Sequence, residues 1–387
     1  MARSRFCLQE TAERRNFVNK TVFMGARNTT FSIIKALAII LMVIGHAEAP
    51  ELITNFIYTF HMPVFFIAAG YFFQRKYIQQ PWEFCAKRFK GLYLPMVKWS
   101  IMFLLLHNVF FYFGILNEEY GNWTGGVTHP YSWHSALQRI VLIFTSMSGY
   151  DEFMAGAFWF FRGLLVASIV FMLLYKLLDE RTHFSPTASV SIILASTLAF
   201  AALFIANKLK ISTIPNGGMR EIWGIAFFAI GVLFQRIEHR LPRSMWLATA
   251  CFAALVGAAI LHLHGMNNRG ELIDVLTLPI TGCLGFVMLY IISSKLNNIP
   301  ERLHRVLTYI GDNTIAVFVF HIISFKVVSL LKIWYYGLDF GQVGCHMVIH
   351  YNHTDFFWVL YSIVGVALPL LWLEAYRRIR RCLINKR

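Results

Sequence analysis

Lys35 and His46 are ionisable residues inside the first long apolar stretch of the chain, FSIIKALAIILMVIGHAEAP. In a helix, the eleven residues that separate them give a rise of about 16 Å and bring both side chains to nearly the same face. Because ionisable groups inside a membrane helix are costly, two on one face indicate a lined cavity that could move protons or a substrate. The structural alternative is that Lys35 reaches the membrane surface near the start of the helix and His46 is hydrated near its end.

A second histidine lies in the next apolar stretch, FIYTFHMPVFFIAAGYFF at 56–73, where His61 and Pro63 interrupt the pattern. A proline bends a membrane helix and leaves carbonyl groups that water or side chains must satisfy. A bent helix that carries His61 beside the helix of His46 could form the wall of a wet pocket. Alone, His61 could equally be a hydrogen-bonded structural residue.

The composition indicates that these residues are set in a membrane scaffold. Of the 387 residues, 57% are hydrophobic and 14% are charged, which leaves too little polar material to cover a soluble globule of this size. The formal net charge of +15 could suggest nucleic-acid binding. However, the basic residues cluster in short segments between apolar runs, as in membrane proteins, so we expect no nucleic-acid partner. The expected fold is an all-α, polytopic membrane protein.

Ten apolar stretches have the length of a membrane span. They cover about 31–49, 55–73, 94–114, 156–177, 187–206, 221–236, 244–263, 273–293, 308–331 and 356–376. We expect a basic segment over 1–30, one ten-helix membrane domain over 31–376 and a basic tail over 377–387. The first stretch is longer than a signal-peptide core and ends without a small-residue cleavage site, so it should remain as the first helix.

The charges of the connections predict the orientation in the membrane. Segments on the side of the N-terminus carry most of the basic residues, including RK at 75–76, KRFK at 87–90, RIEHRLPR at 236–243 and the tail RRIRRCLINKR. The opposite side holds only Arg139, Lys208, Lys210, Arg220 and Arg269. Because positive residues collect on the cytoplasmic side, both termini should be cytoplasmic.

The basic stretch PWEFCAKRFKGLYLP, at 81–95, interleaves aromatic and basic residues. This pattern is typical of a short helix that lies at the membrane interface. The stretch could anchor the chain on anionic membrane lipid. It could also bind an anionic ligand from the cytosol, because several fixed positive donors can share the charge of phosphate groups.

The longest connection on the opposite side, about 115–155, combines aromatic and polar residues with an amphipathic piece at 136–147. Aromatic rings with hydroxyl and carboxylate neighbours suit sugars, whose apolar faces stack while their hydroxyls form hydrogen bonds. The alternative is an aromatic belt at the membrane interface.

Neither the cysteines nor the loop histidines predict a metal centre or a disulfide framework. The six cysteines are scattered without a CxxC pair, so we expect core residues or free thiols. The segment GCHMVIHYNHTD, at 344–355, holds Cys345, His346, His350 and His353 near the outer surface. Its spacing matches no recognised metal pattern and loop histidines are usually solvated, so we expect no metal.

Five ordered motifs resemble the signatures of one family. They are Lys35-x10-His46, FHMPVFFIAAGY at 60–71, KRFKGLYLP at 87–95, FWFFRGLLVAS at 158–168 and YIGDNTIAVFVFHIISF at 309–325. Together they resemble the acyltransferase-3 family of integral-membrane O-acyltransferases, in the short stand-alone form related to fucose 4-O-acetylase and enterobacterial-common-antigen O-acetylase. The resemblance implies a bacterial inner-membrane enzyme that transfers an acyl group, usually acetyl from cytosolic acetyl-CoA, to a hydroxyl of a glycan or lipid-linked saccharide.

The resemblance also implies roles for individual residues. Lys35 and His46 match the basic residue and histidine of the family's first span, and His61 joins them as a candidate catalytic residue. The candidate residues for the CoA phosphates are Arg75, Lys76, Lys87, Arg88 and Lys90, and those for the acceptor are Trp159, Arg162 and His321. The chain departs from the family at Lys35, where arginine is usual, because lysine lacks the planar fork that binds an anion through two bonds. It also departs at Ala69-Gly70, where Ser-Gly is common, and at Arg162, in a stretch where many members carry a glutamate.

The chemistry of acyl transfer assigns the central role to His46. A sugar hydroxyl is a poor nucleophile at neutral pH, so a base must take its proton as the new bond forms, and we expect His46 to be that base. No serine or cysteine stands out beside a histidine, which favours direct transfer over a covalent acyl-enzyme. Lys35 or His61 could stabilise the negative charge that develops on the thioester oxygen.

A transporter or flippase is the alternative function, because buried Lys35, His46, His61, Arg162 and Lys326 could also serve translocation. Transporters often contain an internal repeat. The two halves of this chain show no convincing similarity, which favours the enzyme.

Overall fold

The computed structural model describes residues 28–123, 128–212, 214–267 and 270–384. These residues form helices joined by turns and loops, and no strand occurs among them, which confirms the predicted all-α fold. In chain order the helices are α1 Thr29–His46, α2 Glu51–Tyr58, α3 His61–Tyr71, α4 Lys76–Gln79, α5 Pro81–Arg88, α6 Leu94–Tyr112, α7 Glu118–Trp123, α8 Trp133–Ser146, α9 Glu152–Ala155, α10 Trp159–Arg181, α11 Pro186–Ala206, α12 Met219–Ile237, α13 Met245–Ile260, α14 Asp274–Leu296, α15 Glu301–Asp312, α16 Thr314–Tyr336 and α17 Phe357–Ile384.

Nine helical stretches in the described part of the chain are long and apolar enough to cross a membrane. They are Thr29–His46, Glu51–Tyr71, Pro81–Tyr112, Glu152–Arg181, Pro186–Ala206, Met219–Arg240, Asp274–Leu296, Thr314–Tyr336 and Phe357–Leu383. The span predicted at 244–263 corresponds to α13, which has only 16 residues. At a rise of 1.5 Å per residue α13 is about 24 Å long, shorter than a typical hydrocarbon core of about 30 Å.

The bend predicted at Pro63 occurs a few residues earlier, where Thr59 and Phe60 separate α2 from α3. Proline is tolerated in the first turn of a helix, where its missing N–H has no partner to lose. The carbonyl of Thr59 accepts a hydrogen bond of 3.1 Å from the Thr281 hydroxyl on α14. A neighbouring helix therefore satisfies a carbonyl that the break leaves without a helical partner.

The segment 81–95, expected as a short interfacial helix, begins with α5 and continues into α6. Residues Phe89–Tyr93 form a π-helical turn that joins α5 to α6 without a break. A π-turn inserts one extra residue into a helix, so it shifts the side chains of α6 around the helix axis relative to those of α5.

The first helix, α1, is the centre of the molecule because it contributes to two hydrophobic cores. Phe31, Ile34 and Ala38 belong to a core built mainly with α3, α10, α12 and α14. Ile39 and Val43 belong to a second core built with α6, α16 and the segment before α10. His46 is therefore carried by a helix that is packed on more than one side.

Close packing between α3 and α12 depends on two glycines. A Cβ atom on Gly70 would lie 2.0 Å from the carbonyl oxygen of Phe228, and one on Gly231 would lie 2.0 Å from the carbonyl oxygen of Ile67. Real Cβ atoms do not approach backbone so closely, so either alanine would push the helices apart. Gly70 is therefore needed for helix packing.

The bundle has two chemically different ends. At one end, the ring of Phe31 stacks on Tyr71 with 4.1 Å between centroids, which places the start of α1 beside the end of α3 and the basic helices α4 and α5. We call this end the basic face. The opposite end, which holds His46, the described parts of the 115–155 segment and the 337–356 loop, is the cavity face.

Candidate active site

A cavity of about 940 Å³ opens at the cavity face, and we call it the outer cavity. Its walls combine aromatic, acidic and basic side chains with three histidines. The lining includes His46, Tyr58, His129, Tyr131, Tyr150, Asp151, Glu152, Trp159, Arg220 and His346. Pockets of this size bind small organic molecules or a few sugar units. The predicted aromatic and polar surface of the 115–155 segment therefore becomes one wall of a cavity that contains His46.

His46 and His321 form a hydrogen-bonded pair at this cavity, although 275 positions separate them in the chain. Nδ1 of His46 lies 2.9 Å from Nε2 of His321. The Nδ1 atom of His321 lies 2.9 Å from the carbonyl oxygen of Phe318, and His321 is 1% exposed. A carbonyl can only accept, so Nδ1 of His321 donates to it, which in a neutral ring leaves Nε2 as an acceptor.

The orientation of the pair determines which nitrogen of His46 can act as a base. Since Nε2 of His321 accepts, Nδ1 of His46 must donate the hydrogen bond that joins them. The remaining nitrogen of His46, Nε2, then carries a lone pair and has no hydrogen-bond partner among the residues that the structure describes. The sequence predicted His321 on the acceptor side of the cavity, whereas the structure places it behind His46, where it can fix the tautomer.

Trp159, predicted to bind the acceptor, does line the outer cavity. The guanidinium of Arg220, another lining residue, lies 4.4 Å from the Trp159 ring centroid. A cation above an indole is attracted to its π-face, so the two side chains hold each other in place. In the sequence, Arg220 served only as evidence for the orientation of the chain in the membrane.

Arg162, the other predicted acceptor residue, is buried in an ion pair. Its Nε donates to Oε1 of Glu221 at 2.8 Å, and both side chains are about 5% exposed. Within the described part of the chain, both terminal nitrogens of Arg162 and Oε2 of Glu221 have no hydrogen-bond partner. The pair joins α10 to α12, which carry Trp159 and Arg220, so we assign it to the support of the cavity wall.

A second buried polar network holds the outer wall. Nδ1 of His107 lies 2.7 Å from Oδ2 of Asp151, and its Nε2 lies 2.8 Å from the carbonyl oxygen of His129. The Tyr131 ring stacks on His107 with 3.6 Å between centroids. Both nitrogens of His107 therefore face acceptors, and α6 fixes the position of Asp151 and Tyr131 at the cavity.

Two titratable side chains at the cavity lie outside the membrane-spanning segments and are shifted by burial. Loss of hydration lowers the pKa of His346 to about 4, and it raises the pKa of Tyr150 to about 12. Both groups are therefore uncharged at neutral pH.

His61 lies in a smaller neighbouring cavity and not in the outer cavity. This second cavity has a volume of about 190 Å³ and shares Tyr58 and Asn267 with the outer cavity. Nδ1 of His61 lies 2.9 Å from the carbonyl oxygen of Ile57, so it donates a hydrogen bond within the bend. The geometry supports the structural interpretation of His61.

Lys35 also lies outside the outer cavity. It precedes His46 by eleven residues on α1, a separation of about 16 Å along the axis. Lys35 is half-buried towards the basic face. The two residues therefore cannot act on the same atoms, and a direct role for Lys35 at the atoms that His46 contacts is not supported.

The predicted CoA-binding residues cluster at the basic face, but several of them have protein partners. Arg75 pairs with Asp179 at 2.8 Å and Lys87 with Glu83 at 2.6 Å. The guanidinium of Arg88 packs over the rings of Phe84 and Phe228, at 5.0 and 5.6 Å. Lys76 lies over Tyr77, and Lys90 is exposed.

Lys326, which the transporter interpretation used, is held by backbone carbonyls of the 337–356 loop. Its ammonium donates to Val343 at 2.8 Å and to Cys345 at 2.5 Å. Lys332, further along the same helix, donates to the carbonyl of Ile349 at 3.2 Å and pairs with Asp355 at 3.0 Å. Both lysines therefore act as anchors of this loop.

The cysteines of the described residues are free thiols, as expected from the sequence. They are Cys85, Cys251, Cys283, Cys345 and Cys382. Cys7 lies outside the described residues.

Comparisons with known proteins identify the family. The family model described as an acyltransferase domain, acyltransferase-3, matches residues 28–375, which is most of the chain. Neither the curated proteins nor the solved structures compared with the chain gave a significant match. The family match and the apolar helices together show that the chain belongs to the acyltransferase-3 family and is a multi-pass integral membrane protein.

Proposed function

We propose that the protein transfers an acyl group, acetyl in the first instance, from cytosolic acyl-CoA to a hydroxyl of a glycan or lipid-linked saccharide. The hydrogen bond between His321 and His46, beside the outer cavity, supports this function most directly. It leaves Nε2 of His46 with the lone pair that a general base requires.

The reaction needs only one base and no covalent enzyme intermediate. Nε2 of His46 takes the proton of the acceptor hydroxyl as the oxygen attacks the thioester carbonyl carbon. The tetrahedral intermediate then collapses, the carbon–sulfur bond breaks, and the CoA thiolate takes the proton from the imidazolium of His46. His321 donates no proton to substrate, and it stabilises the required tautomer through its own bond to the carbonyl of Phe318.

The lining of the outer cavity supports a saccharide acceptor. The Trp159 ring borders the cavity and can contact the apolar face of a sugar, and Glu152 can accept hydrogen bonds from its hydroxyls. Arg220 supplies donors on the same wall. A neutral saccharide matches this mixed surface better than an apolar ligand does.

A small apolar cavity supports a route for the donor from the basic face. It has a volume of about 70 Å³ and is lined by residues that include Ile39, Met42, Leu92 and Thr314. Ile39 and Met42 lie on α1 between Lys35 and His46, and Leu92 lies in the π-turn after the basic helix α5. The flexible arm of an acyl-CoA could pass here while the basic residues hold its phosphates.

The excess of Lys and Arg at the basic face favours a cytoplasmic location for that face, in agreement with a cytosolic donor. We propose that this membrane is the inner membrane of a bacterium.

Charge reversal at two exposed lysines tests the donor site. Because Arg88 packs on aromatic rings, the clean variant is Lys87→Glu with Lys90→Glu. We expect the Kd for acetyl-CoA, measured by calorimetry in detergent, to rise about tenfold or more, since a hydrogen bond to a charged group contributes about 1.5–3 kcal/mol.

A matched control is Lys295→Glu with Arg302→Glu, which also changes two exposed basic residues. This control should bind acetyl-CoA as the wild type does. An unchanged Kd in the Lys87/Lys90 variant would move the CoA site elsewhere.

A further inference from the structure

A cluster of metal-ligating side chains lies at the cavity face, next to the outer cavity. Glu48, His350 and His353 place one ligand atom each within 4.8 Å of one another. Nδ1 of His353 lies 2.7 Å from Oε1 of Glu48, and Nδ1 of His350 contacts the same oxygen. Glu48 lies just after the end of α1, whereas the two histidines belong to the 337–356 loop.

The loop that carries the histidines is fixed by two buried lysines of α16. Lys326 holds the carbonyls before His346, and Lys332 holds Ile349 and Asp355, which flank the two histidines in sequence. Ligands on an anchored segment lose little freedom when an ion binds, so the cluster is partly preorganised. Only the side chains of Glu48, His350 and His353 need to adjust.

We propose that Glu48, His350 and His353 bind a divalent transition-metal ion, with Zn²⁺ as the best match. Two imidazole nitrogens and one carboxylate oxygen form a donor set that Zn²⁺ prefers, whereas Ca²⁺ and Mg²⁺ require more oxygen ligands. The fourth position would be taken by water, because the side chains of His350 and His353 are 40% and 67% exposed.

The geometry is close to what such an ion needs. With bonds of about 2.0–2.1 Å in a tetrahedron, ligand atoms are separated by about 3.3 Å. Glu48 and the histidines are slightly closer than this, as hydrogen-bonded groups are, so small side-chain rotations would make room for the ion. On binding, each histidine would carry its ring proton on Nε2 instead of Nδ1, so that the neutral imidazoles bind the ion through Nδ1 and the carboxylate binds it through oxygen.

The ion would join two parts of the chain that form the outer cavity. Glu48 lies close to His46 in the chain, and the loop with His350 and His353 also carries His346 and Met347, which line the cavity. A bound ion would therefore link the end of α1 to the opposite cavity wall. This inference does not depend on acyl transfer, since the ligands are identified by their own chemistry.

Metal binding to the full-length protein in detergent tests the inference. The protein carries an affinity tag without histidine, is stripped with a chelator and is titrated with Co²⁺ and then Zn²⁺. We expect one ion per chain, visible d–d bands of low-coordinate Co²⁺ that Zn²⁺ abolishes, and a higher Tm with Zn²⁺. The variant His350→Ala with His353→Ala should bind the ion more than about 100-fold more weakly. Loss of a residue that only contacts a ligand already weakens metal binding by about 10–100-fold, and this variant removes two ligands.

The matched control is His134→Ala with His183→Ala, since both histidines are exposed and lie far from Glu48 in the chain. This control should bind Co²⁺ and Zn²⁺ as the wild type does, and Glu48→Gln should weaken binding. Absence of a stoichiometric ion in the wild type would overturn the inference. So would binding that persists in the His350/His353 variant, or binding that the control loses equally.

Discussion

Replacing His46 with alanine should reduce acyl transfer by about 10²–10⁴-fold, the range that a positioned general base contributes. The Kd for acetyl-CoA should stay unchanged, because the proposed binding site for the donor phosphates lies at the basic face, away from His46. Both quantities can be measured on purified protein, with labelled acetyl-CoA and saccharides extracted from the membranes of the source cells.

Two further variants separate a base from a structural histidine. His321→Gln should give a smaller loss of rate than His46→Ala, because it removes the group that fixes the tautomer and leaves the base in place. His134→Ala, at an exposed site, should leave the rate unchanged. Acyl transfer at the wild-type rate in His46→Ala would show that another residue takes the proton.

Glu221→Ala should destabilise the folded protein by about 3–5 kcal/mol, because it leaves the buried Arg162 guanidinium without its counter-charge. The double variant Arg162→Met with Glu221→Leu should recover most of this loss, since it removes both charges and retains the packing. Unfolding in detergent, followed by far-UV circular dichroism, measures both effects.

An exposed ion pair provides the comparison for this experiment. Lys176 and Glu180 are 3.6 Å apart on the surface of α10, and replacing both with alanine should change stability by at most about 1 kcal/mol. If Glu221→Ala were as stable as the wild type, the pair would not support the cavity wall.

Local patterns in the sequence were sufficient to predict the helical scaffold. Runs of apolar residues predicted the spans, and Pro63 predicted the break between α2 and α3, because both features act over a few neighbouring residues. The same approach failed at α13, whose apolar pattern extends beyond its helix.

The candidate site was only partly predictable, because its contacts join distant parts of the chain. His46 was identified because an ionisable side chain inside an apolar helix is energetically unfavourable. Its partner His321, however, is 275 positions away in the chain. Glu221, the partner of Arg162, is 59 positions away in the chain. His350, a partner of Glu48, is 302 positions away. No periodicity or motif within one segment reports such contacts, so the sequence also grouped His61 and Lys35 with His46, from which the structure separates them.

Transfer across a sealed membrane tests the proposed reaction most directly. Protein oriented in proteoliposomes receives labelled acetyl-CoA at the basic face only, and membrane saccharides from the source cells at the cavity face only. We expect acyl label on the saccharides with the wild type and none with His46→Ala. A second sample receives acetyl-CoA at the cavity face instead. If the saccharides stay unlabelled with the wild type in both samples, the proposed acyl transfer is contradicted.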